Sequence, residues 1–263
     1  MSVCKVFAVV CVRVCACVLL RIGHANLCFC NFANTGMCLS FALLPYSRVE
    51  AAVEEPLAIC VTGLAGGMLP RFIRHNFPQT TVDCVEIDSA VAEVAVEMLG
   101  LKPDGHLRIH VADGIDFLAN AADETYDVNI IDVNASDDDK TLEAPPPAFV
   151  TTDFIKNLAR TTKVSGLAVV NVLCQCPKMT AQIFARFRSL FHGRLCYLKD
   201  VRVDADENVI VFILNRKDST WPPSKKDLAE RVRDLERKVP SMKTFRLGER
   251  LQRDLIVEGD DEF

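Results

Sequence analysis

The sequence lacks any concentration of positive charge. Its 30 lysine and arginine residues are outnumbered by 35 aspartate and glutamate residues, the net charge is −5, and the basic residues form no cluster. Because nucleic-acid sites are built on basic patches, this composition argues against nucleic acid as the main partner. No internal repeat is apparent, and no G-x-G-x-x-G run occurs, which disfavours a hydride-transferring dehydrogenase.

Residues 1–44 contain few charges and an excess of cysteine, since seven of the twelve cysteines fall at or before Cys38. The apolar run from Val3 to Leu20 has the length of a targeting segment, but Arg13 interrupts it, and a mid-span arginine is costly in a membrane. The C-x-C pairs lack the spacing of a zinc knuckle, so no metal site is predicted. We interpret residues 1–44 as an atypical extension, with a membrane or targeting segment as the alternative.

The other cysteines lie mostly in strand-like runs; they are Cys60, Cys84, Cys174, Cys176 and Cys196. Such positions are typical of buried free thiols in a reducing compartment rather than of disulfides. This cysteine usage predicts a cytoplasmic protein.

From Glu54 onward, short apolar strands alternate with helices. Strand-like runs occupy 57–62, 81–86, 107–111, 127–132, 167–173, 195–200 and 208–214, and helix-like runs occupy 67–77, 89–99, 114–121, 150–161 and 178–190. This pattern predicts an α/β fold with a Rossmann-like, doubly wound, seven-stranded sheet that is mostly parallel with an antiparallel last strand. We divide the chain into the extension 1–44, a domain at 45–216, and a charged helical segment at 217–263 packed on that domain.

A glycine turn, Gly63-Leu64-Ala65-Gly66-Gly67, follows the first predicted strand and precedes a helix. Glycines let the backbone approach a ligand closely, and a helix N-terminus favours a negative group. The second strand then ends on Glu86-Ile87-Asp88, where an acid can accept hydrogen bonds from ribose hydroxyls. This order of strand, glycine turn, helix, strand and acid predicts a site for a nucleoside-containing cofactor.

Acids also follow the third and fourth predicted strands, at Asp113-Gly114 and at Asp132-Val133-Asn134. In an open α/β sheet, ligands bind beyond the carboxyl ends of the strands, so these acids and the glycine turn are expected at one edge. Asp113 also precedes a helix and is expected to cap it.

These motifs, in this order, resemble the seven-strand family of S-adenosylmethionine-dependent methyltransferases. The runs at 85–88, 112–114 and 126–132 are similar to its spermidine-synthase-like branch. Within that branch, the runs at 63–70 and 145–150 resemble the C-terminal domain of the eukaryotic methyltransferases of translation elongation factor 1-alpha. The likeness covers residues 34–215.

The resemblance implies S-adenosylmethionine as the cofactor, with the glycine turn along its methionine portion, Glu86 at the ribose and Asp113 facing the adenine amine. The cofactor-binding residues that it implies are Gly63, Leu64, Gly66, Gly67, Glu86, Ile87, Asp113, Gly114 and Asp132. It also implies a protein substrate, translation elongation factor 1-alpha, methylated on its N-terminus or on a lysine. The sequence is compatible with a homodimer. Ala65 departs from the family, which usually has glycine there.

Methyl transfer requires a neutral nucleophile held in line with the methyl group. A carboxylate at the end of the fourth strand can orient an amine and accept its proton, so Asp132 is the candidate catalytic residue, with Asn134 as a second polar contact. The Pro145-Pro146-Pro147 run is expected to stiffen the wall of the acceptor pocket. Two alternatives stay open: a polyamine aminopropyltransferase, and a non-catalytic binding module with the same fold.

Overall fold

The computed structural model describes residues 56–135, 141–191, 195–199, 208–215 and 224–257. The predictions made for residues 1–44 lie outside this part of the chain. Within it, no helix is long and apolar enough to cross a membrane.

The described residues form one sheet of nine strands. The strands are β1 (Ala58–Thr62), β2 (Thr81–Glu86), β3 (Leu107–Val111), β4 (Tyr126–Ile131), β5 (Leu142–Ala144), β6 (Thr162–Cys174), β7 (Leu195–Lys199), β8 (Asn208–Leu214) and β9 (Leu255–Val257). The order is β3-β2-β1-β4-β6-β8-β7-β9, and β5 pairs with β6 outside this path. The predicted count of seven strands was wrong, because β5 and β9 were missed.

The directions of the strands agree with the predicted class. Strands β3, β2, β1, β4 and β6 run parallel, whereas β8 is antiparallel to both β6 and β7. The predicted α/β class and its antiparallel last predicted strand are therefore confirmed. The two added strands, β5 and β9, are antiparallel to their neighbours as well.

Seven α-helices occur among the described residues. They are α1 (Met68–Asn76), α2 (Ser89–Glu97), α3 (Gly114–Asn120), α4 (Thr152–Thr161), α5 (Pro177–Phe191), α6 (Lys225–Lys238) and α7 (Leu247–Asp254). Asp88, Asp113 and Thr151 begin α2, α3 and α4, because each side chain accepts a hydrogen bond from an otherwise unpaired N–H of the first turn. Asp113 thus caps a helix as predicted.

Two apolar cores cover the two faces of the sheet. Helices α1, α2, α6 and α7 bury residues such as Ile73 and Leu251 on one face, together with Phe212 of β8. Helices α3, α4 and α5 bury the other face, where Phe187 is fully enclosed. Burying such a side chain stabilises the fold by about 2 kcal/mol, so the doubly wound arrangement is maintained from both sides.

The position of the site follows from the strand order. The chain progresses from β1 outward through β2 to β3, then returns to place β4 on the other side of β1. Loops leaving β1 and β4 therefore diverge and leave a crevice between them, which is where ligands bind in open parallel sheets.

Candidate functional site

The glycine turn lies at this crevice, between the ends of β2 and β4. The Gly63 N–H donates to the carbonyl of Val85 at 2.9 Å, and the Asp132 N–H donates to the carbonyl of Thr62 at 2.9 Å. Gly63 has φ +96°, and a Cβ at this position would lie 2.2 Å from the carbonyl oxygen of Asp132. Only glycine fits there without moving backbone.

The rest of the turn leads into α1. Gly67 has φ +69° and precedes the first helical residue, and no side chain caps that helix end. The side chain of Leu64 is buried in the core, so this residue offers only its backbone to a ligand. Gly66 is buried as well. Ala65 is exposed with φ +46°, a left-handed conformation that normally favours glycine.

Glu86 ties the turn to the end of β2. Its Oε2 accepts the N–H of Leu64 at 3.1 Å, and its Oε1 accepts the N–H of Asp88 at 3.0 Å. Each carboxylate oxygen can accept two hydrogen bonds, so capacity is left for two hydroxyl donors. The half-buried carboxylate is thus held in a fixed position with acceptor capacity that a diol could use.

An apolar surface borders this carboxylate. Ile87 is 70% exposed, and Val111 at the end of the neighbouring strand β3 is 54% exposed. Folding alone gives no reason for large apolar side chains at these two positions, whereas a flat ring of a ligand would bury them.

Asp113 and Gly114 lie beyond the end of β3. The Asp113 Oδ1 accepts the N–H of Ile115 at 2.8 Å, and the side chain is exposed. A Cβ on Gly114 would lie 2.3 Å from the Cγ2 of Thr62, so glycine allows the start of α3 to pack against the end of β1. This contact brings Asp113 toward the glycine turn.

Asp132 follows β4 on the other side of the crevice. Its Oδ1 accepts a hydrogen bond from Nδ2 of Asn171, a buried residue in β6, at 2.9 Å. Burial raises the pKa of the Asp132 carboxyl above its usual value, and the hydrogen bond from Asn171 offsets part of that rise. A carboxylate with a raised pKa is a better proton acceptor near neutral pH.

Asn134 lies two residues beyond Asp132 and is exposed. The chain next to it is tied to β5, because the N–H of Ala135 donates to the carbonyl of Glu143 at 2.7 Å. The Nε2 of Gln175 also donates to the Oε1 of Glu143, at 3.1 Å. The triple proline follows β5, and Pro147 begins a 3₁₀-helix at Pro147–Val150.

Sequence analysis missed Asn171. The signal was present, because Asn171 is the one polar residue in the apolar run from Leu167 to Cys174. A buried polar side chain in a strand requires a partner, and in this fold the partner is Asp132.

The predicted state of the cysteines is confirmed for the described residues. Their five cysteines are free, and four of them are buried. Burial raises the pKa of the Cys60 thiol to about 12, which leaves it protonated and unreactive. No group of three or more metal-ligating side chains occurs in the described part of the chain.

The spermine/spermidine synthase domain family matches residues 50–194, which is more than half of the chain. The chain belongs to this family. Membership accounts for the order of the glycine turn and the strand-end acids, which are spread along the sequence but meet at one edge of the sheet.

Curated relatives carry the name eEF1A lysine and N-terminal methyltransferase. The Bos taurus protein is 33% identical over 187 residues, which cover 70% of this chain and 26% of the relative. The Xenopus laevis protein is 31% identical over 245 residues, which cover 90% of this chain and 34% of the relative. This family member therefore spans only about a quarter to a third of the relatives that it matches.

A solved structure is similar over most of its length. The crystal structure of human methyltransferase-like protein 13 in complex with SAH is 29% identical and covers 79% of this chain and 91% of that chain, with a TM-score of 0.69.

Proposed function

We propose that this member of the spermine/spermidine synthase family is an S-adenosylmethionine-dependent methyltransferase that acts on an amine. The proposed substrate is the N-terminus, or a lysine, of translation elongation factor 1-alpha. The observation that carries the proposal is the Asp132 carboxylate, which lies beside the glycine turn, is fixed by Asn171 and has a raised pKa. The names of the relatives and the SAH complex of the similar structure support it.

The residues of the site fit such a cofactor. Gly63 lets the turn pack closely against Asp132 at the crevice, Glu86 has acceptor capacity for a ribose diol, and Ile87 offers an apolar surface to a base. Asp113 lies beyond the end of β3, and its Oδ1 already accepts a hydrogen bond from the first turn of α3. When bound, S-adenosylmethionine supplies an electrophilic methyl group on a positively charged sulfur.

In this mechanism Asp132 orients the substrate amine and accepts its proton. An α-amine has a pKa of about 7.7–8.0, so part of it is already neutral at pH 7. Asn171 fixes the carboxylate oxygen by hydrogen bonding, and Asn134 is proposed as a further polar contact to the substrate. The sheet holds these groups rigidly, which reduces the entropic cost of bringing the amine in line with the methyl group.

A second candidate is a polyamine aminopropyltransferase, because the matching family is named for spermine and spermidine synthases. Such enzymes usually carry an aspartate inside the glycine turn, where this chain has Ala65-Gly66-Gly67. A non-catalytic binding module is the third candidate, motivated by the left-handed conformation of Ala65.

Calorimetric titration of the full chain with S-adenosylmethionine, and separately with its decarboxylated form, tests these alternatives. We expect tight binding of the intact cofactor, followed by methyl transfer to translation elongation factor 1-alpha. Preference for the decarboxylated form would favour polyamine synthesis instead, and cofactor binding without transfer to any amine would favour the binding module.

Two further expectations accompany the proposed substrate. The elongation factor acts in the cytoplasm, so a cytoplasmic location is proposed for this chain too, and fractionation of expressing cells tests it. A homodimer is proposed as the oligomeric state, and light scattering of the purified protein would contradict it by giving the monomer mass of 29.2 kDa.

A further inference from the structure

Two buried amide oxygens near the end of β6 have no hydrogen-bond partner among the residues that the structure describes. They are Oδ1 of Asn171 in β6 and Oδ1 of Asn208 at the start of β8. An unpaired buried acceptor is rare in folded proteins and destabilises the fold. Two such oxygens at the ligand-binding edge therefore predict hydrogen-bond donors that arrive with a ligand.

The strand register places both oxygens on the same face of the sheet as Asp132. Asn171 is paired with Ile210 and Leu173 is paired with Asn208, so Asn208 is the diagonal neighbour of Asn171 across the two strands. Diagonal neighbours on one face lie about 7 Å apart. Because β8 is antiparallel to β6, the first residue of β8 meets the end of β6 at the edge that carries Asp132.

We infer that Asn208 binds the backbone of an extended peptide substrate, accepting the N–H of its third residue while the α-amine lies at Asp132 and Asn171. This inference rests on the proposed function. An extended chain advances about 3.3 Å per residue, so its α-amine and the N–H of its third residue lie about 7 Å apart. Alternate N–H groups of such a chain also point to the same side, which matches the two oxygens on one face.

This arrangement selects between the two proposed kinds of amine. An N-terminus carries a second N–H donor at the required distance. The ε-amine of a lysine is followed by four methylene groups, which carry no donor for Asn208. An unpaired buried acceptor would remain with a lysine substrate, so the geometry favours an N-terminus.

The test measures methyl transfer by the full chain to a short synthetic peptide with the N-terminal sequence of the elongation factor. A second peptide carries an N-methyl group on the backbone nitrogen of its third residue and thus lacks that N–H. For the wild type we expect KM to rise about fivefold with the N-methyl peptide, which is the effect of one lost neutral hydrogen bond. This comparison needs no protein variant.

The variant Asn208→Leu completes the comparison. We expect its KM for the unmodified peptide to rise about fivefold, with no further rise for the N-methyl peptide, while kcat and the Kd of the cofactor stay unchanged. The control Asn120→Leu, on the exposed end of α3, should behave as the wild type.

The possible outcomes separate the inference from the proposed function. If the wild type transfers no methyl group to the unmodified peptide, the inference fails. Transfer to a lysine of the intact elongation factor in the same assay would leave the proposed function standing, whereas transfer to neither would overturn both. If transfer occurs but the two peptides share one KM with the wild type, the role of Asn208 alone is overturned. An unchanged KM for Asn208→Leu together with a raised Tm would likewise overturn it, because the unpaired oxygen would then be only a structural defect.

Discussion

Asp132 combines the two properties that a proton acceptor needs, which are a fixed position and a raised pKa. The Asn171 side chain fixes one carboxylate oxygen, and the backbone N–H of Asp132 is bonded to the end of β1. Burial disfavours the charged form and so raises the pKa. The same burial that suits the carboxylate to its proposed catalytic role therefore makes it a cost to stability at neutral pH.

The substitution Asp132→Asn removes the proton acceptor while it keeps the fixed position of the side chain. The new side chain keeps an oxygen for Asn171 but cannot accept a proton, so methyl transfer should fall at least about 100-fold while cofactor affinity stays within about twofold. Single-turnover assays and calorimetry measure the two quantities, with Asp116→Asn, at an exposed position on α3, as the control. Retained transfer would remove Asp132 from the catalytic role.

The pH dependence of stability gives an independent check on Asp132. A raised pKa means that the folded state binds more protons than the unfolded state, so wild-type stability falls as pH rises from about 3.9 through the folded pKa. Asp132→Asn has no such group. The variant should therefore be more stable than the wild type above this window and equally stable below it.

The backbone conformation of Ala65 is unfavourable for an alanine, as expected at a position where the family usually has glycine. With φ +46°, it adopts the left-handed region, where a Cβ is unfavourable by about 1 kcal/mol. Ala65→Gly should increase the free energy of unfolding by up to that amount, measured in urea. Ala181→Gly, at an exposed position within α5, should lower it by about the same amount. A lower stability for both variants would show that the turn does not strain Ala65.

At the scale of elements, the sequence predicted the strands that are long and apolar and missed those that are short. Strand β5 has three residues and lies next to a triple proline, and β9 has three residues after a charged helix. Three residues are too few to show the alternation of apolar and polar residues that predicts a strand. Both strands are defined by pairing partners distant in sequence, which local composition does not encode.

The candidate site also has features that the sequence predicted and features that it did not. Its loop residues were predictable, because the glycine turn and the acids Glu86, Asp113 and Asp132 all follow apolar runs. The contact between Asp132 and Asn171 was not predictable, since it joins residues 39 positions apart, one directly after β4 and one in the neighbouring strand β6. The position of Asn208 beside Asn171 became apparent only from the register of β6 and β8.

A second buried carboxylate ties three strands together. Asp83 of β2 accepts two hydrogen bonds from Arg108 of β3, at 2.7 and 2.8 Å, and one from the hydroxyl of Tyr126 of β4 at 3.2 Å. Nε2 of His110 lies 2.7 Å from the same carboxylate. Burial alone would raise the pKa of Asp83, but the hydrogen bonds from Arg108 and His110 outweigh it, and the pKa is lowered.

Asp83→Asn should lower the free energy of unfolding by about 2 kcal/mol at pH 7, because Arg108 loses its charged partner. A lowered folded pKa means that this stabilisation is complete above about pH 3.9 and is lost as pH falls through the folded pKa. The difference between wild type and variant should therefore shrink in acid. Urea unfolding at several pH values measures it, and Asp123→Asn, which breaks an exposed ion pair with Arg160, should cost less. An equal loss for both variants would contradict the role given to Asp83.

At the scale of the whole molecule, the parallel sheet gathers groups that are distant in sequence at one edge. The glycine turn is bonded to the end of β2 through Gly63 and Leu64, and the loop after β4 is bonded to the end of β1. These bonds tie the proposed cofactor site to the strand ends of the sheet, so folding itself forms the site. Binding to a preformed site stabilises the folded state relative to the unfolded chain, which lacks the site.

The coupling between cofactor binding and folding gives a prediction for the full chain. At a concentration 100 times its Kd, S-adenosylmethionine should stabilise the fold by about 2.7 kcal/mol and raise Tm by about 7 °C. Glu86→Ala removes the proposed acceptor for the ribose hydroxyls and the hydrogen bond to Leu64, so affinity should fall at least tenfold. At the same ligand concentration this variant should therefore lose about 1.4 kcal/mol of the stabilisation and about half of the Tm rise. Glu93→Ala, at an exposed position on α2, should keep the full rise. Scanning fluorimetry of the three proteins with and without cofactor measures these shifts, and an undiminished shift for Glu86→Ala would place the ribose elsewhere.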